Sequence, residues 1–456
     1  MPISEHELMT FQRVKDLLGY VEGGMTVKST GPLAEALGQL RCFPYVEIPC
    51  KSFNLKCKLS IAGKPAGTFE KPDTDLILQE STASPFGRGE TTVLDPTYRS
   101  GREISAQNMD IAYTYFSNTA REGISASMFL GKTVEVKFYK LAVYEEGGHF
   151  DWHMDSTHSD QHHATLLLAL NTSWEGGDLK LRRNGVETLV DMHPKAKQNG
   201  SGIDLQAVAF YTDTEHKVEP VTKGIRIVLQ YDVEVVGWGS ALAVNEKDDD
   251  EDEEQNEDEL FYYMGDISRK RGPYQESSGS LTVDNAVVTK VINIITNELI
   301  DGRKEVGLAM QHLYRKSSIL PEFLKGADAQ LYHALLSSFV VTLQPVVLHS
   351  CTDIDGRSAP YLAITWDDDD SSESDLESNK SVEPDAGSNT GSRDDDDSDS
   401  ETESQPVVFH LPLLSAIEQI SYREYIEHTG NEAQPGETKY FGGGMFVRKK
   451  KVVKGR

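Results

Sequence analysis

Two acidic runs set the limits within which this chain can fold. Between Glu246 and Glu259 stand eleven acids and one lysine, and between Asp367 and Glu403 sixteen acids and two bases. Like charges at that density repel one another and offer no apolar surface to offset the entropy of ordering, so both runs are expected to be disordered. They hold −24 of the formal −28, which leaves a body near −4. The acidity therefore says little about the folded surface, through which no nucleic-acid binding is expected. The runs themselves read either as solubilising spacers or as docking tails for a basic protein. Ser374, Ser398 and Ser400, each with an acid three residues on, suit acid-directed kinases.

The 456 residues leave room for two or three domains. Residues 1–104 read as helices and strands supporting a barrel at 105–240; 241–260 is an acidic linker. Residues 261–366 and 404–456 read as one C-terminal module, interrupted by the acidic insertion 367–403. Ser4 to Tyr20 opens on a Ser-x-x-Glu capping box with helical apolar spacing, and Phe53 to Ile61 alternates as a strand. From 133 to 236, short strands separated by turn residues indicate an all-β barrel. Ala286 to Leu299 and Ala327 to Leu336 are helical in pattern, and Phe339 to Leu348 is strand-like. The loop at 84–90 contains glycines but lacks the Lys-Ser/Thr of a phosphate cradle.

The chemistry concentrates between 144 and 226. Tyr144-Glu-Glu-Gly-Gly-His-Phe-Asp-Trp-His153-Met-Asp155 is followed by His216 and, ten residues later, Arg226. A His and an Asp two apart on an extended strand point to one side. A further imidazole completes a three-ligand facial set for Fe(II), with three coordination positions left open. Arg226 shares a strand face with Val228 and Gln230, and an inward arginine needs a carboxylate partner, which a dicarboxylate co-substrate could supply. His149/His153 and His158/His162 have the four-residue spacing of a helical zinc pair. Gly147 and Gly148 argue against a helix there, which leaves His158, His162 and His163 as loop residues.

With these residues in view, the chain resembles the Fe(II)- and 2-oxoglutarate-dependent oxygenases, and within them the prolyl 4-hydroxylase-like branch. Tyr144, Gly147, Gly148, Phe150, His153 and Asp155 fall at that branch's spacing. Ala164-Thr165 leads a hydrophobic strand to Asn171, Trp174-Glu-Gly-Gly-Asp-Leu179 looks like its glycine pair, and Ala207-Val-Ala-Phe210 looks like the strand before the distal histidine. The resemblance spans roughly 132–236. It implies an α+β chain with a double-stranded β-helix (jelly-roll) core, flanking helices and an α/β C-terminal module. It also implies that His153, Asp155 and His216 are the catalytic Fe(II) ligands, that Arg226 holds the distal carboxylate of 2-oxoglutarate, and that Tyr144 lines the co-substrate pocket. With O2, the implied reaction is oxidative decarboxylation coupled to hydroxylation, here of a protein or peptide side chain such as proline. Two positions depart from the pattern. Ala169 stands where several prolyl hydroxylases have a tyrosine, leaving Thr165 or Tyr144 to supply a hydroxyl. Arg226 replaces the lysine of collagen-modifying enzymes and looks more like cytosolic and nuclear members. A catalytically impaired barrel acting as a scaffold, and an oxygenase of a small metabolite, remain alternatives.

Cys42, Cys50, Cys57 and Cys351 form no CxxC pair or disulfide framework. The start lacks a basic-then-apolar leader, and no apolar stretch of about 18 residues is present to span a membrane. An intracellular protein, cytoplasmic or nuclear, is expected. The cluster Arg448 to Lys454 reads either as a nuclear import signal or as a solvated tail.

Overall fold

The computed structural model describes residues 25–28, 31–40, 45–48, 56–88, 91–112, 115–183, 186–197, 202–237, 285–352, 358–364, 407–411, 429–430 and 440–450. The helix expected at Ser4 to Tyr20, both acidic runs and the end of the basic cluster lie outside the described residues.

Two antiparallel sheets build the barrel. The larger runs, edge to edge, through Tyr45–Ile48, Ala207–Tyr211, His162–Ala169, Arg226–Gly237, Thr133–Tyr144, Arg102–Ser105 and Thr82–Ala83. The smaller runs through Val186–Val190, Leu179–Arg183, Glu215–Val218, His149–His153 and Arg99–Ser100. Strand alternation sorts the apolar residues of the large sheet. Leu166, Leu168, Ile227 and Leu229 join one core with Ala120, Ile124 and Met128 of helix Tyr115–Met128. Leu167, Ala169 and Val228 join another with Phe150, Leu179, Leu181 and Val218 of the small sheet. The inner strand His162–Ala169 is thus buried along its whole length. The cavity between the sheets is where the functional side chains gather.

A third core forms around a six-stranded mixed sheet, ordered Met25–Lys28, Val407–His410, Val306–Ala309, Gly443–Lys449, Phe339–Thr352 and Ser358–Ile364. Chain from both sides of the second acidic run therefore meets in one sheet. Helix Asn285–Ile300 buries Val288, Val291, Ile295 and Leu299, a single stripe at three- and four-residue spacing. That stripe and helices Pro32–Gln39 and Gly326–Leu336 share the core with Val306, Leu308, Val341, Met445 and Val447. Residues 25–28 and 31–40, which the sequence groups with the barrel-supporting segment, pack here, with Met25–Lys28 parallel to Val407–His410. Gly443 makes room for Met310, whose Cε would lie 1.7 Å from a Cβ at that position. Among the described residues, no helix is long and apolar enough to cross a membrane.

The two units meet over buried charge. Asp213 of the barrel takes Lys325 Nζ at 2.9 Å, His312 Nδ1 at 3.1 Å and Arg183 Nη1 at 3.4 Å. Burial alone would push the Asp213 carboxyl up, but Lys325, His312 and Arg183 together hold it well below the usual carboxylate range. Burial, reinforced by Arg183, pushes His312 down to about 3, and His163 is likewise held low by burial. These imidazoles are neutral in the fold but accept protons below about 6.5 when unfolded. The unfolded state then binds more protons, so stability is lost as pH falls from 6.5 toward 3. His312 alone accounts for about 2 kcal/mol at pH 5. Denaturant unfolding followed at pH 7.5 and pH 5 is expected to show a lower midpoint at pH 5; an unchanged midpoint would refute the buried-neutral assignment.

Candidate active site

His153 ends the strand His149–His153 and lies directly opposite His216 on Glu215–Val218. The register slips between Phe150, opposite Val218, and His153, so the first strand carries one extra residue there, a β-bulge that re-aims the imidazole. Asp155 lies beyond the end of that strand. Its placement is therefore not the product of straight strand geometry: its backbone N–H donates to Thr212 O at 3.2 Å, in the turn just before His216. The donor atoms of His153, Asp155 and His216 all lie within 4.8 Å of one another. His216 Nε2 is 3.6 Å from Asp155 Oδ1, and the three residues are 5%, 5% and 1% exposed for His153, His216 and Asp155.

Backbone carbonyls select the tautomers. His153 Nδ1 lies 2.7 Å from Asp151 O, and His216 Nδ1 lies 3.0 Å from Thr214 O. A carbonyl only accepts, so each Nδ1 carries the proton and each Nε2 presents a lone pair. Phe150 stacks on His153 with ring centroids 3.5 Å apart, and Phe210 lies against His216 at 4.6 Å. Thr165 donates its hydroxyl to Asp155 Oδ2. Two neutral imidazoles and one anchored carboxylate suit a divalent first-row metal with positions left open.

Arg226 opens its strand opposite Tyr144, whose ring centroid lies 5.4 Å from the guanidinium carbon. The arginine is 1% exposed, and neither Nε nor Nη2 has a hydrogen-bond partner among the described residues. Burial lowers the guanidinium pKa, while Tyr144 and Asp178 act in the opposite direction. The stem lies against Gly177, where φ is +63° and a Cβ would stand 3.3 Å from Arg226 Cδ and 2.8 Å from Val221 Cγ2. Arg226, Tyr144 and the His153–Asp155–His216 group share one cavity of about 390 Å³ of empty space, part of it open to solvent. A dicarboxylate reaching from the metal position to Arg226 fits this arrangement, because it would satisfy the orphaned donors.

Some expectations need amendment. Thr165, one of two residues offered for the hydroxyl missing at Ala169, is engaged by Asp155. The helical zinc alternative has no helix to stand on, since 149–153 and 162–169 are strands. His162, read as a loop residue, is buried in the second of them, where it meets His158 and Asp232 as a second compact group. There His158 Nδ1 binds Asp232 Oδ2 at 2.5 Å, and His162 Nδ1 accepts the N–H of His158 at 3.2 Å. His162 Nε2 faces Ala164 O at 3.1 Å and so carries the proton, which removes it as a metal donor. Arg99 was not foreseen. It lines the cavity, sits 4.4 Å over the Phe150 ring and pairs with Glu103 at 3.3 Å. No motif surrounds it in sequence, whereas Gln230, also in the lining, follows from the alternation that begins at Arg226.

Residues 139–231 match the family model of the 2OG-Fe(II) oxygenase superfamily. The match lies within the barrel segment. The match takes in Tyr144, all three residues of the buried donor group, and Arg226. Among solved structures, the chain is similar to a prolyl-4-hydroxylase from Pseudomonas putida, at 18% identity over 45% of this chain and 100% of that one, with a TM-score of 0.25. It is also similar to a prolyl hydroxylase from Trichoplax adhaerens in complex with a hypoxia inducible factor oxygen degradation domain peptide fragment, at 15% identity, 51% and 94% coverage and a TM-score of 0.28. A viral collagen prolyl hydroxylase from Paramecium Bursaria Chlorella virus-1, in complex with 2OG, matches at 16% identity, 30% and 80% coverage and a TM-score of 0.20. A comparison with curated proteins finds no match. The matched family implies Fe(II), 2-oxoglutarate and O2, and the donor group is compatible with them.

Proposed function

We propose that the barrel is a working oxygenase that hydroxylates a polypeptide side chain, with proline as the first candidate. In this reading His153, Asp155 and His216 hold Fe(II), Arg226 binds the far carboxylate of 2-oxoglutarate, and Tyr144 walls the co-substrate pocket. The observation that carries it is the buried Arg226 guanidinium, with Nε and Nη2 lacking partners among the described residues, in the same cavity as the donor group. Bound together, iron, 2-oxoglutarate and O2 supply the oxidising equivalent for a C–H hydroxylation, with succinate and carbon dioxide as co-products. The chain's own part is positional. The Asp151 and Thr214 carbonyls orient the imidazoles, Thr165 orients the carboxylate, and the apolar walls at Leu167 and Val228 keep water from the reacting centre. The prolyl substrate class rests on the resemblance of 144–171 to the prolyl 4-hydroxylase-like branch.

Ala169 supports a second reading, a scaffold that has lost productive co-substrate binding, since Thr165 is not available to replace the missing tyrosine hydroxyl. One titration separates the two. Full-length protein loaded anaerobically with Fe(II) is expected to develop the visible charge-transfer band of its 2-oxoglutarate chelate, and to release succinate once air and a proline-containing peptide library are admitted. If no band forms at millimolar 2-oxoglutarate, the scaffold reading replaces the oxygenase. If the band forms and only a metabolite panel stimulates succinate release, the substrate is a small molecule instead.

A further inference from the structure

We propose that residues 311–325 of the C-terminal unit are a positioning clamp for the metal site, holding the two chain segments that carry Asp155 and His216. The proposal rests on the assignment of those residues and His153 as metal ligands. It begins at the turn 212–214. Thr212 O accepts the backbone N–H of Asp155, and Thr214 O accepts Nδ1–H of His216, so a shift of this turn moves a carbonyl on each ligand. Between the two threonines stands Asp213. Its carboxylate is bound by Lys325 Nζ at 2.9 Å, Leu313 N at 3.1 Å and His312 Nδ1 at 3.1 Å, all from the C-terminal unit.

The same segment grips the chain that leaves Asp155. Arg315 donates from Nε to Thr157 Oγ1 at 2.7 Å, from Nη2 to Thr157 O and from Nη1 to Asp160 Oδ1 at 3.2 Å. Ser317 and Ser318 add hydrogen bonds to Asp160 at 2.7 and 2.8 Å. Thr157 lies two residues past the ligand. The clamp is stiffened from behind by Asp328, which accepts the N–H groups of Gln311 and His312 and the Tyr314 hydroxyl at 2.7 to 3.0 Å. Lys325 also binds Leu313 O at 2.9 Å, closing the segment on itself.

Energetics distinguish this from ordinary domain packing. Exchanging a buried ion pair for apolar residues of like volume is often neutral or stabilising, so adhesion alone does not call for Lys325, His312, Arg183 and Asp213 to be buried together. What such groups supply is direction: hydrogen bonds fix the turn to a fraction of an ångström, and a metal site needs its ligands placed that closely.

Co(II), whose visible bands report ligand geometry, is the probe for the full-length protein. Lys325→Met and Arg315→Met are each expected to weaken Co(II) binding at least tenfold, within the roughly 10–100-fold range of outer-shell changes. They are also expected to alter the bands of the metal-saturated protein at a temperature where every variant remains folded. Glu298→Gln, which breaks the pairs with His410 and Arg303 at the partly exposed face of the six-stranded unit, is expected to leave affinity and bands unchanged. If Lys325→Met does not fold, Arg315→Met, at the edge of the interface, carries the test. Wild-type affinity and bands in both clamp variants would overturn the proposal while leaving the metal site intact. A Co(II) signal that survives His153→Ala would instead remove the metal-site reading, and the clamp with it.

Discussion

Asp155→Ala is expected to give a folded barrel that no longer gains stability from a divalent metal. Asp155 is the one anionic donor in the group, so its loss leaves two neutral imidazoles to hold a dication at a buried position. Outer-shell partners typically cost roughly 10–100-fold in metal affinity when removed, and loss of a ligand exceeds that range. The metal-free protein is affected less. The substitution removes a buried carboxylate along with the hydroxyl partner of Thr165, whose unsatisfied donor costs about 1–3 kcal/mol. Linkage makes the contrast measurable: a ligand at a hundred times its Kd stabilises by about 2.7 kcal/mol, and a ligand that no longer binds adds nothing. Thermal unfolding with and without Mn(II) should therefore show a metal-dependent rise in the wild type and none in Asp155→Ala. An equal rise in both would place the metal elsewhere.

What could be read in advance was whatever a short window of sequence encodes. His153, Asp155, His216 and Arg226 are chemistry-bearing side chains at fixed spacings, and the alternation of Arg226, Val228 and Gln230 assigns all three to the cavity face, where the structure has them. The stripe of Val288, Val291, Ile295 and Leu299 was legible for the same reason. Periodicity reports which face is buried, not which distant segment covers it. The parallel pairing of Met25–Lys28 with Val407–His410 therefore had no local signal. Nor did the grip of Lys325 on Asp213, although both residues are fully buried and charged. The route by which Asp155 reaches the site was hidden in another way. The His-x-Asp spacing matches a straight strand, but the structure combines a bulge with a hydrogen bond from the Asp155 N–H to Thr212 O, and either can place the carboxylate without changing the motif.

Arg226→Met should separate function from stability in opposite directions. The guanidinium is 1% exposed with Nε and Nη2 unbonded among the described residues, and burial depresses its pKa, each a mark of an unfavourable environment for the cation. An unsatisfied buried donor costs about 1–3 kcal/mol, more when charged, and methionine fills a similar volume without that cost. Arg226→Met is thus expected to unfold at a higher denaturant midpoint than the wild type. Co-substrate binding is expected to move the other way. Truncating one partner of a buried, hydrogen-bonded charge pair costs roughly 2–5 kcal/mol, or from about 30-fold to over 1000-fold in affinity at 1.4 kcal/mol per decade. The 2-oxoglutarate concentration needed for half-maximal band intensity should rise by that factor, while Fe(II) affinity stays near the wild-type value because Arg226 is not among the metal donors. An arginine kept for packing would give the reverse pattern, with stability lost and 2-oxoglutarate affinity unchanged. On the proposed assignment a bound carboxylate would complete the cation's hydrogen bonds, so the wild type should recover the stability deficit as 2-oxoglutarate saturates the site.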